Sequence, residues 1–141
     1  MMNKNDSGFT LIELMVVIVI IGILAGFIVP KLMHRTGQAA QTRSKADIAS
    51  IKTALQLFKL DTGRYPTSGE GLQALRSAPG GVRGYQKGGY LEKDPKDPWG
   101  RTYIYTYPGT HGNEFDIVSY GADEAPGGDG ENADVESWDI N

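Results

Sequence analysis

Gly8-Phe9-Thr10-Leu11-Ile12-Glu13 opens an apolar run that continues without another charge to Val29. At about 1.5 Å of helical rise per residue, the run is long enough to cross a hydrocarbon core of roughly 30 Å. Glu13 is the anomaly within it. A carboxylate at the centre of a bilayer helix costs roughly 2.5–3.5 kcal/mol on insertion scales, so an acid kept there points to a function. A cut between Gly8 and Phe9 would leave a new free amine one helical turn from Glu13 and give the charge a partner.

Three readings of this segment compete. A conventional cleaved signal peptide needs a positive flank, a short apolar core and a small-x-small site after it; here the flank holds only Lys4 with Asp6, and the apolar run is too long. A plain signal anchor explains everything except Glu13. A segment cut after Gly8, with the apolar stretch retained, accounts for both the acid and the junction.

Composition narrows the partners. The 141 residues carry 14 Lys+Arg, 17 Asp+Glu and no cysteine, which excludes a disulfide framework, a thiolate metal site and a Cys nucleophile. From Asn113 onward there are nine acids and no Lys or Arg. Such a surface suits a cation and not nucleic acid, whose phosphates need clustered positive charge.

Gly8 followed by Phe9-Thr10-Leu11-Ile12-Glu13 and an apolar helix resembles the class III signal of type IV pilins and type II secretion pseudopilins. That resemblance implies that a prepilin peptidase cuts after Gly8 and N-methylates Phe9. It also implies that Glu13 neutralises the terminal amine of a neighbouring subunit during assembly. An unpaired buried charge is penalised far more than a paired one. Gly22 and Gly26 have the spacing that lets helices approach closely, which fits a fibre core of packed helices without demonstrating one.

Pro30 is expected to bend or interrupt the helix, and with Gly37 it predicts a kinked or melted stretch between the two. Beyond it Ile48, Ile51, Leu55 and Phe58 recur at three- and four-residue spacing among charges, an amphipathic helix ending at Asp61-Thr62-Gly63. Leu72 and Leu75 point inward from a short helix over residues 71–77, and residues 78–89 read as a loop. Trp99, at the tip of the Asp97-Pro98-Trp99-Gly100 turn, reads as a core anchor. Two strands are predicted, residues 103–107 and 115–120, joined by a hairpin loop. His34 and His111 read as isolated.

Tyr65-Pro66-Thr67, Gly71-Leu72-Gln73-Ala74-Leu75 and Asp94-Pro95-Lys96-Asp97-Pro98-Trp99-Gly100 together resemble the type II secretion major pseudopilin family, the protein G of the general secretory pathway, with a match from Gly8 to Trp138. Type IV pilins share the first thirty residues but typically close the C-terminal region with a disulfide, which this chain cannot form. The implied fold is α+β: a pilin-like lollipop whose long N-terminal helix packs against a small antiparallel sheet. The implied organisation is a leader over residues 1–8, a transmembrane and filament-core half-helix over 9–33, and a periplasmic head over 34–141. Glu13 and Pro30 are the assembly residues.

Residues 121–134 mix acids with glycines, a composition suited to Ca²⁺, which takes 6–8 oxygen ligands in flexible loops. The spacing is not that of an EF-hand, and composition alone leaves a solvated acidic tail standing beside a cation site. The resemblance implies one structural Ca²⁺, with Asp123 and Asp134 as carboxylate ligands and the backbone oxygens of Tyr120 and Ala125 beside them. Asp129 and Gly128 are further candidates, and Trp138 is the apolar clasp of the C-terminal segment.

Phosphate-loop, zinc-protease and serine-hydrolase motifs are absent from the sequence, so no enzyme is expected. The implied function is a structural subunit of the type II secretion pseudopilus, a filament that drives export of folded proteins. Its partners would be copies of itself, minor pseudopilins, the prepilin peptidase, the inner-membrane platform with its ATPase, and the membrane. It would be a single-pass inner-membrane protein with its head in the periplasm. The alternatives are a type IV pilin or minor pilin-like subunit of another filament, and a membrane-anchored calcium module that never polymerises.

Overall fold

The computed structural model describes residues 9–140, and the side chains of all of these except 27–36. The cleavage junction at Gly8 therefore lies outside the described residues, as do the side chains of Pro30 and His34. The chain divides into two compact units at Thr36/Gly37.

In the first unit the helix α1, Leu11–Thr62, begins. From Phe9 to Gly26 every position is exposed, including Leu11 at 77 % and Ile18 at 59 %. Among the described residues, no helix is long and apolar enough to cross a membrane; the described side chains of the apolar run stop at Gly26. The predicted melted stretch does not occur. Helical structure is unbroken through Pro30 and Gly37: the proline removes one backbone donor from the ladder without ending the helix.

In the second unit, α1 presents Ile48, Ile51, Leu55 and Phe58, each at most 2 % exposed. Full burial of such side chains contributes about 1.5–3 kcal/mol each, so this face organises the head. The helix stops at Thr62, where Gly63 takes φ 82° and its amide donates to the Lys59 carbonyl at 2.8 Å, a left-handed cap that glycine adopts without a Cβ penalty. Leu72 and Leu75 are buried from a 3₁₀ turn, Leu72–Leu75. Phe58, Tyr85 and Tyr90 meet edge to face at centroid distances of 5.2–6.0 Å, so part of the predicted loop joins the core.

The sheet is antiparallel in the order β1-β2-β3, with β1 Ile104–Thr106, β2 Asp116–Ser119 and β3 Val135–Glu136. Tyr105 lies opposite Ile117, and Ser119 opposite Val135. The two predicted strands are present but shorter, and β3 is an addition to them. Tyr103 and Tyr105 sit in the core with their hydroxyls on Ser44 (3.2 Å) and the Pro66 carbonyl (2.8 Å); burial pushes both phenols well above their usual range. Trp99 is only half-buried. The buried residue of its turn is Asp97, whose carboxylate accepts from the amides of Trp99 (3.1 Å) and Arg101 (2.8 Å) and from Ser119 Oγ (2.7 Å).

Candidate functional site: the helix-terminal carboxylate and the acidic loop

At the start of α1, Thr10 and Glu13 form a reciprocal cap. The Thr10 amide and hydroxyl donate to Glu13 Oε2 at 2.9 and 3.0 Å, and the Glu13 amide donates to Thr10 Oγ1 at 3.3 Å. This is a capping box, which satisfies helix-terminal donors that have no partner within the helix. It holds the carboxylate at the first turn, close to Phe9. The Thr-x-x-Glu spacing was visible in the sequence, but the cost of the charge in a membrane drew the reading away from it.

The acidic loop leaves β2 at Tyr120 and returns at β3. Asp123 Oδ1 accepts from the Ala125 amide at 3.2 Å, and Asp134 Oδ2 accepts from the Gly127 amide at 2.8 Å. Both candidate carboxylates thus turn into the loop they bound. Asp134 Oδ1 is buried and has no hydrogen-bond partner among the described residues. A buried acceptor without a donor costs about 1–3 kcal/mol, more if charged, and a hard cation in an all-oxygen site removes that cost. The residues fit Ca²⁺ on this ground. Among the described residues no three His, Cys, Asp or Glu side chains form a metal-holding group, so carbonyls would have to supply much of the shell.

The other candidates are placed differently. Asp129 is exposed and is the N-cap of the 3₁₀ turn Gly130–Asn132, its carbonyl accepting from the Asn132 amide at 3.1 Å while its side chain makes no capping bond. Gly128 runs against the backbone of Asn132, where a Cβ would come within 2.6 Å of its carbonyl oxygen; its role is close approach. The carbonyls that follow Tyr120, those of Gly121 and Ala122, accept from Arg101 at 2.6 and 2.9 Å.

Two contacts of the loop were not anticipated. Gly37 is buried on α1, and a Cβ there would lie 2.7 Å from Glu131 Cβ, while Gln41 Nε2 donates to the Ala133 carbonyl at 2.7 Å. The glycine read as a weak point is a seat for the loop. His111 is not isolated either: Nδ1 lies 2.9 Å from Asp116 Oδ2, and its ring stacks on Trp138.

Residues 31–138 match the family described as type II secretion system (T2SS), protein G, and residues 3–29 match the prokaryotic N-terminal methylation motif. The chain belongs to the type II secretion system protein G family. It is 49 % identical over 142 residues to type II secretion system core protein G of Pseudomonas aeruginosa, covering 99 % of each chain. The core protein G of Vibrio cholerae is 45 % identical, over 97 % of this chain and 94 % of that one. The crystal structure of the major pseudopilin from the type 2 secretion system of enterohaemorrhagic Escherichia coli aligns with TM-score 0.68 at 33 % identity, covering 78 % of this chain and 92 % of that one.

Protein G family membership favours the pseudopilin over the type IV pilin alternative, and the long helix with a three-stranded antiparallel sheet is the α+β architecture expected of it. The methylation motif spans Gly8, Phe9 and Glu13, the residues from which the cleavage reading was drawn. It fits a membrane-anchored protein.

Proposed function

We propose that the chain is the building block of a pseudopilus. It is cut after Gly8 by a prepilin peptidase, methylated on Phe9, held as a single pass in the inner membrane with its head in the periplasm, and drawn into a helical filament. Its work is structural. Minor pseudopilins would join the filament, and a membrane platform with its ATPase would extract the subunits. Glu13 would neutralise the terminal amine of a neighbour, and the capping box with Thr10, which fixes its carboxylate at the first turn of α1, supports that role.

One observation carries the reading: every position from Phe9 to Gly26 is exposed, and apart from Thr10, Glu13 and the two glycines the side chains there are apolar, an uninterrupted large-hydrophobic run from Leu14 to Ile21 among them. Water does not tolerate an uncovered stripe of that size, so lipid or other copies of the chain must cover it. The test is co-expression with a prepilin peptidase. Mass spectrometry should find the chain without residues 1–8 and with one added methyl. Glu13→Ala should stay in the membrane fraction while losing filaments and export. Intact residues 1–8, or unchanged filaments in Glu13→Ala, would overturn it.

The acidic loop holds one Ca²⁺ in this reading, through Asp123, Asp134 and backbone oxygens that include those of Tyr120 and Ala125. The buried, partnerless Asp134 Oδ1 supports it. Binding to the folded state stabilises by mass action, about 2.7 kcal/mol at a hundred times Kd. Melting of the full chain in detergent should rise with Ca²⁺ and not with Mg²⁺, and Asp134→Asn should abolish the rise. Equal melting with Ca²⁺, Mg²⁺ and chelator would remove the ion from the account.

A further inference from the structure

Arg101 lies between the Asp97-Pro98-Trp99-Gly100 turn and β1, outside the acidic loop, and reaches it as a fork with every arm engaged. One terminal nitrogen donates to the Gly121 carbonyl at 2.6 Å and the other to the Ala122 carbonyl at 2.9 Å. Its Nε pairs with the Glu124 carboxylate. The guanidinium itself is placed by the turn before it: the Arg101 amide donates to buried Asp97 at 2.8 Å, the Arg101 carbonyl accepts from the Asp97 amide at 2.7 Å, and Asp97 also holds Ser119 of β2. The three groups that Arg101 grips flank Asp123 on both sides.

Two consequences follow from that placement. First, Arg101 braces the backbone on both sides of Asp123 with protein contacts alone. Glu124 is held at φ 62°, a left-handed conformation that a non-glycine residue seldom adopts without support. Second, the positive guanidinium sits against the Gly121 and Ala122 carbonyls and one oxygen of Glu124, where it competes with a cation for those oxygens and repels an ion placed beside them. Asp123 is left as the acid of this turn that Arg101 does not engage.

We propose that Arg101 is the positioning residue of the calcium loop: it pre-forms the turn that presents Asp123 and excludes Glu124 from the ligand set. This rests on the calcium reading above. A lysine would not serve, because an ammonium is a point charge without the planar fork that spans two consecutive carbonyls.

Calorimetric titration of Ca²⁺ into the full chain in detergent micelles, for wild type, Arg101→Lys, Arg101→Gln, Glu124→Gln and Asp123→Asn, tests the proposal. Outer-shell partners typically affect metal affinity by roughly 10–100-fold, so both Arg101 variants are expected to weaken Ca²⁺ binding about tenfold or more. At saturating Ca²⁺ their melting temperatures should return close to that of wild type, because the ion re-imposes the turn; this separates positioning from a general loss of fold. Glu124→Gln should cost far less affinity than Asp123→Asn. Unchanged or tighter binding in Arg101→Gln would overturn the proposal, since the guanidinium would then be a bystander or a competing cation. Equal losses in Glu124→Gln and Asp123→Asn would overturn it too, by making Glu124 a ligand. Wild type that binds no Ca²⁺ would defeat the calcium reading and Arg101's role with it, whereas binding in wild type with Arg101→Gln unaltered would defeat Arg101 alone.

Discussion

The rings of His111 and Trp138 stack with centroids 3.6 Å apart and planes inclined by 15°. His111 projects from the β1–β2 hairpin, and Asp116, at the head of β2, holds its Nδ1 at 2.9 Å. Trp138 lies just past β3, so the stack fastens the C-terminal segment to the hairpin. Ser137 adds to the seam: its hydroxyl accepts from the Ile117 amide at 2.9 Å and its carbonyl from Lys52 Nζ at 3.1 Å. Aromatic pairs of this kind contribute about 0.5–1.5 kcal/mol beyond burial. Trp138→Ala is therefore expected to lower the melting temperature and to raise amide exchange in residues 135–140 more than in α1. Uniform exchange changes in both would show that Trp138 is not a local fastener.

Glu70 supplies the acid-labile link. Two bonds from Arg64, both at 2.7 Å, together with the Thr67 amide, hold its pKa down to about 2 despite the opposing effect of burial. A carboxylate depressed in the folded state stabilises the fold fully above its unfolded pKa near 4.5 and loses that contribution as pH falls toward about 2. Glu70→Gln should thus be less stable than wild type at neutral pH, and the gap should close between about pH 4.5 and 2. Denaturant midpoints across that range check it; a gap independent of pH would rule out the ionised pair as the cause.

Gly37→Ala sets two magnitudes against each other. Alanine is preferred over glycine inside a helix by about 0.8–1.0 kcal/mol, whereas forcing a methyl into a filled contact costs about 1–3 kcal/mol. With Glu131 Cβ only 2.7 Å from the new atom, the clash is expected to win and the variant to be less stable. In a Gly37→Ala, Glu131→Gly double variant the helix preference should emerge and stability should recover. A single variant more stable than wild type would mean that the loop does not rest there.

Asp97→Ala should be among the most damaging changes in the head. It leaves Ser119 Oγ and two amides without their acceptor inside a buried turn, and hydrogen bonds to charged groups are worth about 1.5–3 kcal/mol each. Equilibrium denaturation should show a loss of at least about 2 kcal/mol. Trp99→Ala, at a half-buried position, should cost less. The reverse order would restore Trp99 as the anchor of this turn.

These cases show where sequence and structure part. The core face of α1 was readable because a 3.6-residue period needs only neighbours along the chain, and Ile48, Ile51, Leu55 and Phe58 are where that period puts them. The end of the helix at Gly63 was readable for the same local reason. Val135-Glu136 carries no strand signal of its own, since two residues pair only because β2 offers an edge. His111 and Gly37 were misread because their partners, Trp138 and Glu131, lie in remote segments. Asp97 was overlooked beside Trp99 because size suggests burial, while three converging donors decide it. For the acidic loop, the candidate carboxylates were readable from composition and family pattern, but the hold of Arg101 on the intervening carbonyls depends on the turn that Asp97 folds.

The strands number three, four and two residues, and the outer two form the sheet's edges. Long open edges are templates for strand addition between molecules, and short ones are a common protection against it. A subunit crowded against copies of itself would thereby be kept from amyloid-like zippering, leaving its helix and side-chain surfaces as the routes to ordered assembly.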